Sequence, residues 1–311
     1  MSNEERIAVD GREDPAPGIA AGGSGGSAGP ESGRVIAGVY RLRGLLGQGG
    51  MARVYEADHL RDGHRVALKL VHAELGADAV VRARFEREAR AAAQAGHPHV
   101  VGVHAIGRDD GGAPFLVMEL VRGTTLHARL RAEPMLEVAR ACGIARQLLE
   151  ALGAVHARGV VHRDLKPENV LLAVRDAEPD FVKLCDFGIA TFVEARGRSE
   201  LTPAGRTMAT PHYASPEQLA GSRGADPAVD LYAVGVMLYE MIAGLRPFDA
   251  PDLPALLAQI RADSPAPLRV FRRDVPPGLD ALLARALGKS AASRPPSAAA
   301  WLAALRPFCA A

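Results

Sequence analysis

The hydrophobic pattern of this chain changes period part-way along, and that change restricts its fold more than any other feature. From Tyr40 the apolar residues come in short β-like runs, Tyr40–Leu46, Arg53–His59 and Arg65–Val71, separated by Gly or by the Arg61-Asp62-Gly63 turn. Two more runs, Val101–Arg108 and Pro114–Leu120, flank the Asp109-Asp110-Gly111-Gly112 turn. Ala79–Ala95 interrupts them as a predicted helix, with Val81, Phe85, Ala89 and Ala92 at spacings of three and four. Beyond about Gly123 the texture is helical, in Met135–Ala157, Val229–Gly244, Pro254–Ala262 and Gly278–Gly288. The expectation is an α+β chain. A small antiparallel sheet with one long helix, residues 34–121, precedes a larger, mainly helical part, residues 122–311.

Residues 1–33 hold 8 of the 33 glycines and few large apolar side chains, so they cannot bury enough surface to offset the entropy of ordering them. They read as a flexible Gly/Ser-rich acidic tail with a net charge of −4, against +1 for the whole chain, which leaves the remainder at +5. A mildly basic body without a strong field argues against a nucleic-acid partner. The tail has no apolar core of the signal-peptide type, and the longest apolar stretch, Leu231–Leu245, is too short and too polar to span a bilayer. No membrane partner is therefore expected. Three scattered cysteines, Cys142, Cys185 and Cys309, form no C-x-x-C pair and fit a reducing, cytoplasmic setting. Among the 37 cations only four are Lys: Lys69, Lys166, Lys183 and Lys289. Each scarce Lys raises the question of why it is not Arg.

Two segments early in the chain have chemistry open to more than one reading. Gly47-Gln48-Gly49-Gly50-Met51-Ala52-Arg53-Val54 lies between two predicted strands. It is either a plain hairpin turn or a flap whose backbone N–H groups approach phosphate oxygens. A dinucleotide fold is disfavoured, because there the glycines open a helix and here a strand follows. Lys69 ends the apolar run Val66-Ala67-Leu68-Lys69. It is either an edge-strand Lys facing water or a compact point charge for a phosphate. Glu88 is either a solvated helix carboxylate or the group that orients Lys69.

The sharpest signal is His162-Arg163-Asp164-Leu165-Lys166-Pro167-Glu168-Asn169, followed about twenty residues on by Cys185-Asp186-Phe187-Gly188. On these motifs the chain resembles the eukaryotic-type serine/threonine protein kinases over roughly residues 40–308, and its Arg and Ala richness suggests a bacterial source. The resemblance implies the two-lobed kinase fold and the cofactors ATP and Mg²⁺, with Mn²⁺ as an alternative ion. It assigns Lys69 to the ATP phosphates, Glu88 to the ion pair that holds Lys69, Asp164 to the base facing the substrate hydroxyl, and Lys166 to the transferring phosphate. Asn169 and Asp186 match the metal ligands. Gly47 and Gly49 match the phosphate flap, Val54, Ala67 and Leu171 the adenine sandwich, and Glu119 and Val121 the backbone that meets the adenine edge, with Met118 as gatekeeper.

The same resemblance implies a spine through Val103, Ala92, Phe187 and His162 resting on Asp230, and a pairing of Glu217 with Arg294. It makes Thr210 the substrate-facing threonine and Thr202 and Thr207 the phosphorylated positions of an activation segment, with Arg163 as the cation that receives the phosphate. Ala52 and Ala209 stand where the family commonly has glycine. The implied function is γ-phosphate transfer from Mg·ATP to Ser/Thr hydroxyls of proteins, with autophosphorylation. The alternative is a pseudokinase scaffold that binds nucleotide or partners without transfer. The sequence carries no signal for an oligomeric state.

Overall fold

The computed structural model describes residues 20–21, 30–49, 52–72, 86, 96–175, 178–186, 211–221 and 226–309. The chain divides into two compact units. The first comprises residues 1–124 together with 171–185, and the second comprises residues 125–170 and 186–311.

In the first unit, β1 (Ala20–Ala21), β2 (Val35–Ile36), β3 (Tyr40–Gln48), β4 (Ala52–His59), β5 (Arg65–Val71), β6 (Val103–Arg108) and β7 (Pro114–Glu119) follow in chain order, and β2 to β7 form a six-stranded sheet ordered β2-β3-β4-β5-β7-β6. All five neighbouring pairs within it are antiparallel. Alternation along the strands sorts the side chains to two faces. Ile36, Leu42, Tyr55, Leu68, Phe115 and Val117 pack together as one buried cluster. The opposite face carries Val54, Lys69 and Leu116, which lie across from one another, and Ala67 across from Met118. The predicted helix Ala79–Ala95 lies outside the described residues except Glu86, which is helical.

A second sheet, ordered β1-β8-β9-β10, is completed by β8 (Arg122–Thr125), β9 (Val170–Arg175) and β10 (Glu178–Leu184). Gly123 is a close-approach glycine, since a Cβ there would sit 2.2 Å from the Leu172 carbonyl oxygen. β9 and β10 escape a periodicity reading because β9 is exposed only at its end, Val174 and Arg175, and β10 is buried throughout Phe181–Leu184, so neither shows the alternation that marks a strand with one wet face.

The second unit is helical. Its elements are α1 (Leu126–Ala132), α2 (Val138–His156), α3 (Pro216–Leu219), α4 (Ala228–Ala243), α5 (Leu253–Ala262), α6 (Pro277–Ala286) and α7 (Ala298–Leu305). Side-chain caps set several starts: Thr125 accepts from the Ala128 N–H, Glu137 from Ala139 and Arg140, Asp252 from Ala255, and Ser297 from Ala300. Helix α4 is buried along nearly its whole circumference, so it forms the centre against which α2 and α6 pack. It stops at Gly244, which takes φ 73°, the left-handed conformation a glycine adopts without Cβ strain. Helix α7, Ala298-Ala-Ala-Trp-Leu-Ala-Ala-Leu305, is not foreseen from sequence. Its alanines blur the apolar stripe, and only Ala298, Trp301 and Leu305 are buried on α2 and α6.

Candidate active site

The loop that carries the octapeptide is shaped by a single buried carboxylate. Asp230, in the first turn of α4 and 1% exposed, accepts hydrogen bonds from the backbone N–H groups of His162 and Arg163, both at 2.8 Å. Its Oδ2 also meets His156 Nε2 at 2.8 Å. Held this way, Arg163 adopts φ 67°, a left-handed conformation that costs a non-glycine residue on the order of 1–3 kcal/mol and persists only where its surroundings dictate it. An amide at position 230 would turn a donor toward a donor in either orientation. Asp230→Asn is therefore expected to lower unfolding free energy by about 1.5–3 kcal/mol, the worth of a hydrogen bond to a charged group. Urea denaturation of the variant beside the parent protein checks this.

Downstream of that strained residue three predicted site residues come together. Lys166 Nζ donates to Asp164 Oδ2 at 2.7 Å. Asn169 Nδ2 donates to the Asp164 carbonyl at 2.7 Å, and the Asn169 N–H donates to the Lys166 carbonyl at 2.9 Å. A 3₁₀ turn over Pro167–Asn169 makes this possible, because it brings residue 169 back over residue 166. Asn169 is buried, whereas Asp164 and Lys166 keep about a quarter of their side-chain surface open. The result is a carboxylate held by a cation on one oxygen while still reachable from solvent. Asp186 lies at φ 59°, left-handed like Arg163.

In the first unit Val54, Ala67 and Lys69, predicted for the nucleotide, fall on the sheet face away from the apolar cluster. Lys69 is 9% exposed and stands opposite Val54 and Leu116, while Ala67 and Met118 are buried across from each other. Gly47 pairs with Val54, and the Gly49 N–H closes a turn on the Ala52 carbonyl at 2.9 Å, so the glycine run is a strand-turn-strand element. Glu119 ends β7, Val121 is buried just beyond it, and Leu171 lies half-buried in β9. Glu88 and the activation-segment positions Thr202, Thr207 and Thr210 lie outside the described residues, as do Ala92 and Phe187.

Two contacts around this set are not foreseen from sequence. Lys183 Nζ, 8% exposed as a residue, meets Glu119 Oε1 at 2.5 Å. Backbone bonds reinforce that junction: Glu119 N–H to Gly102 O, Val101 N–H to Leu184 O and Leu184 N–H to His99 O, each at 2.9 Å. The end of β7 is thereby tied to the end of β10, two residues before Asp186. The scarcity of Lys is the signal that points to Lys183. The second contact links Gln218 to the Arg163 carbonyl at 2.8 Å and has no signal in the sequence.

The expected pairing of Glu217 with Arg294 is present and bidentate, at 2.6 and 2.8 Å. The Arg294 side chain is fully buried, and it also donates to the carbonyls of Gly288, Ala228 and Lys289. Burial alone would raise the Glu217 carboxyl, but the hydrogen bonds and charge of Arg294 prevail and hold it below the ordinary carboxylate range. Among the described residues no group of three or more His, Cys, Asp or Glu is placed to hold a metal, and no helix is long and apolar enough to cross a membrane.

Comparison with known proteins agrees with this geometry. Residues 40–300 match the protein kinase domain family model. The serine/threonine-protein kinase pkn3 of Myxococcus xanthus is 42% identical over 277 residues, which is 88% of this chain and 50% of that protein. The serine/threonine-protein kinase PknE of Mycobacterium tuberculosis is 41% identical over 257 residues, 83% of this chain and 44% of its own. This chain thus spans half or less of the length of these relatives. The crystal structure of the Mycobacterium tuberculosis PknI kinase domain (C20A mutant) superposes with a TM-score of 0.68 at 30% identity, covering 89% of this chain and 98% of that domain. Lys166 on the Asp164 carboxylate and Asn169 on its main-chain carbonyl, the buried aspartate that shapes their loop and the matched span of residues 40–300 lead to one conclusion: the chain belongs to the protein kinase domain family.

Proposed function

We propose that this chain is a serine/threonine protein kinase that moves the γ-phosphate of Mg·ATP to Ser/Thr hydroxyls of proteins, including hydroxyls of its own activation segment. The observation that carries the reading is the Asp164 carboxylate, held at 2.7 Å by Lys166 on a loop whose backbone Asp230 grips. The names of its relatives support the serine/threonine choice.

In this reading Asp164 accepts the proton of the attacking hydroxyl. A carboxylate suffices for this because the loose transition state lets the proton leave late. Lys166 keeps its ammonium beside the same carboxylate, where it orients Asp164 and faces the charge spread over the transferring phosphoryl oxygens. Lys69 serves the α- and β-phosphates from β5, with Glu88 as its partner, and Gly47 and Gly49 let backbone N–H groups reach phosphate oxygens. Val54, Ala67 and Leu171 supply apolar surface for the adenine, and the main chain at Glu119 and Val121 supplies its hydrogen bonds. A compact ammonium suits Lys69 and Lys166 better than the planar guanidinium this chain uses elsewhere.

Asn169 and Asp186 are the groups that would hold Mg²⁺. Their oxygens are of the hard type that ion takes, and Asn169 commits its amide nitrogen to the Asp164 carbonyl, so its Oδ1 is the end for a cation. When bound, the ion neutralises phosphate charge. Residues 34–121 form the nucleotide lobe and residues 122–311 the transfer lobe, with residues 1–33 as a tail. Three free cysteines suit action in the cytoplasm.

The test incubates purified chain with Mg²⁺ and γ-labelled ATP and maps the label. Phosphate on Thr202 or Thr207, absent in Asp164→Asn, is the expected result. Nucleotide binding without any labelling overturns the reading in favour of a scaffold.

A further inference from the structure

The stretch from Pro211 to Leu219 follows Thr210, the threonine that the resemblance turns toward the substrate, and is the docking stretch in that reading; within the second unit its side chains tie it down. His212 Nε2 meets Asp249 Oδ1 at 3.1 Å while Arg246 donates to its Nδ1 at 2.8 Å. The Tyr213 hydroxyl donates to Glu240 at 2.6 Å, and Glu217 pairs with Arg294. Gln218 links this stretch to the catalytic loop. Its Oε1 accepts the Ser215 N–H at 3.0 Å, closing the capping box of α3, and its Nε2 donates to the Arg163 carbonyl at 2.8 Å. The two ends of the amide are distinguished by their partners, a donor on one side and an acceptor on the other, so its orientation is determined.

The Arg163 carbonyl belongs to the same rigid peptide unit as the N–H of Asp164. Arg163 is the left-handed residue, and Asp230 fixes only the peptide unit before it, through the Arg163 N–H. Gln218 fixes the peptide unit after it. A residue in a costly conformation is thus clamped on both sides, from α4 by Asp230 and from α3 by Gln218, and the second clamp sets the plane from which the Asp164 side chain departs.

We propose that Gln218 is a positioning residue for phosphoryl transfer, which aligns Asp164 through the Arg163 carbonyl and makes that alignment depend on an ordered docking stretch. This role rests on the assignment of Asp164 as the base. It differs from simple capping in a testable way, because the cap uses Oε1 and the alignment uses Nε2.

Gln218→Glu keeps the cap acceptor and turns an oxygen toward the Arg163 carbonyl. Its kcat is expected to fall about tenfold, with the KM for ATP within about twofold of the parent. Lowering the pH protonates the introduced carboxylate, whose O–H can then donate to the carbonyl, so the ratio of variant to parent activity should rise as pH falls. Ser215→Ala, which removes the cap hydroxyl and leaves the Arg163 contact, should lower the melting temperature and retain kcat. All variants are assayed as full chain with γ-labelled ATP and casein, beside Asp164→Asn. Parent-like kcat in Gln218→Glu beside an inactive Asp164→Asn overturns the role of Gln218 alone. Equal loss of kcat in Ser215→Ala and Gln218→Glu reduces Gln218 to a cap and also overturns it. Full activity in Asp164→Asn overturns the catalytic assignment and the role of Gln218 with it.

Discussion

Asp164→Asn is expected to lower kcat by about 10²–10⁴-fold, the range that a positioned general base supplies. The variant should still bind Mg·ATP. The Asp164 main-chain carbonyl continues to accept from Asn169 Nδ2, and Asp230 continues to hold the residues before it, so the loop keeps its course. What changes is confined to the side chain. An amide takes no proton, and with its nitrogen toward Lys166 it would set a donor against the ammonium that now bonds to Oδ2. Lys166 would then be free to swing away, adding loss of orientation to loss of the base. Steady-state kinetics with separate determination of kcat and the KM for ATP check the prediction. A fall of less than about tenfold would mean that Asp164 only shapes the loop.

Arg294→Met should be the most destabilising single change in the second unit, at about 3–5 kcal/mol, the cost of stripping one partner from a buried ion pair. The guanidinium is fully buried, and its five N–H groups serve Glu217 and three backbone carbonyls. Methionine fills part of the volume and satisfies none of them. Lysine would replace the charge but not the fork, and so should recover little. The pair also gives an acid dependence whose sign follows from the lowered Glu217 carboxyl. A carboxyl depressed in the folded state contributes stability above its unfolded value, near 4.5, and loses it as pH falls through the folded value. The parent protein should therefore weaken in acid by more than Arg294→Met does. Urea unfolding at pH 7 and near pH 4 measures both differences, and equal acid slopes would show that the pair does not set the folded-state titration.

Much of the candidate site was legible because phosphoryl transfer demands particular residue types at short spacing. Asp164, Lys166 and Asn169 lie within one octapeptide, and a turn of 3₁₀ geometry suffices to bring them together. The strands β3, β4, β5 and β7 were legible because one face is an apolar cluster and the alternation is regular. Helices α2, α4, α5 and α6 showed the three-and-four spacing, and their ends differ from expectation by no more than about three residues because caps, not periodicity, fix ends.

Contacts between residues distant in sequence were less accessible. Nothing local in Gln218 hints that it reaches Arg163, 55 positions away, and the join of β7 to β10 through Glu119 and Lys183 depends on how the first unit folds back on itself. The scarce lysines were a partial guide. Lys183 lies in that buried pair, and Lys289 donates to the carbonyls of Gln259 and Ile260 at the end of α5 while standing 3.9 Å from the Phe248 ring centre. Burial brings the Lys289 ammonium down to about 8. Lys166, Lys183 and Lys289 each occupy a place where a narrow ammonium meets partners that a planar guanidinium would meet less well.

The most direct measurement is transfer in trans: the purified chain, Mg²⁺ and γ-labelled ATP are mixed with casein, and the labelled product is hydrolysed to its phosphoamino acids. Transfer through Asp164 predicts phosphoserine and phosphothreonine, formed by the parent protein and lost in Asp164→Asn. Stoichiometric binding of ATP with no labelled casein, or label that persists in Asp164→Asn, would contradict it.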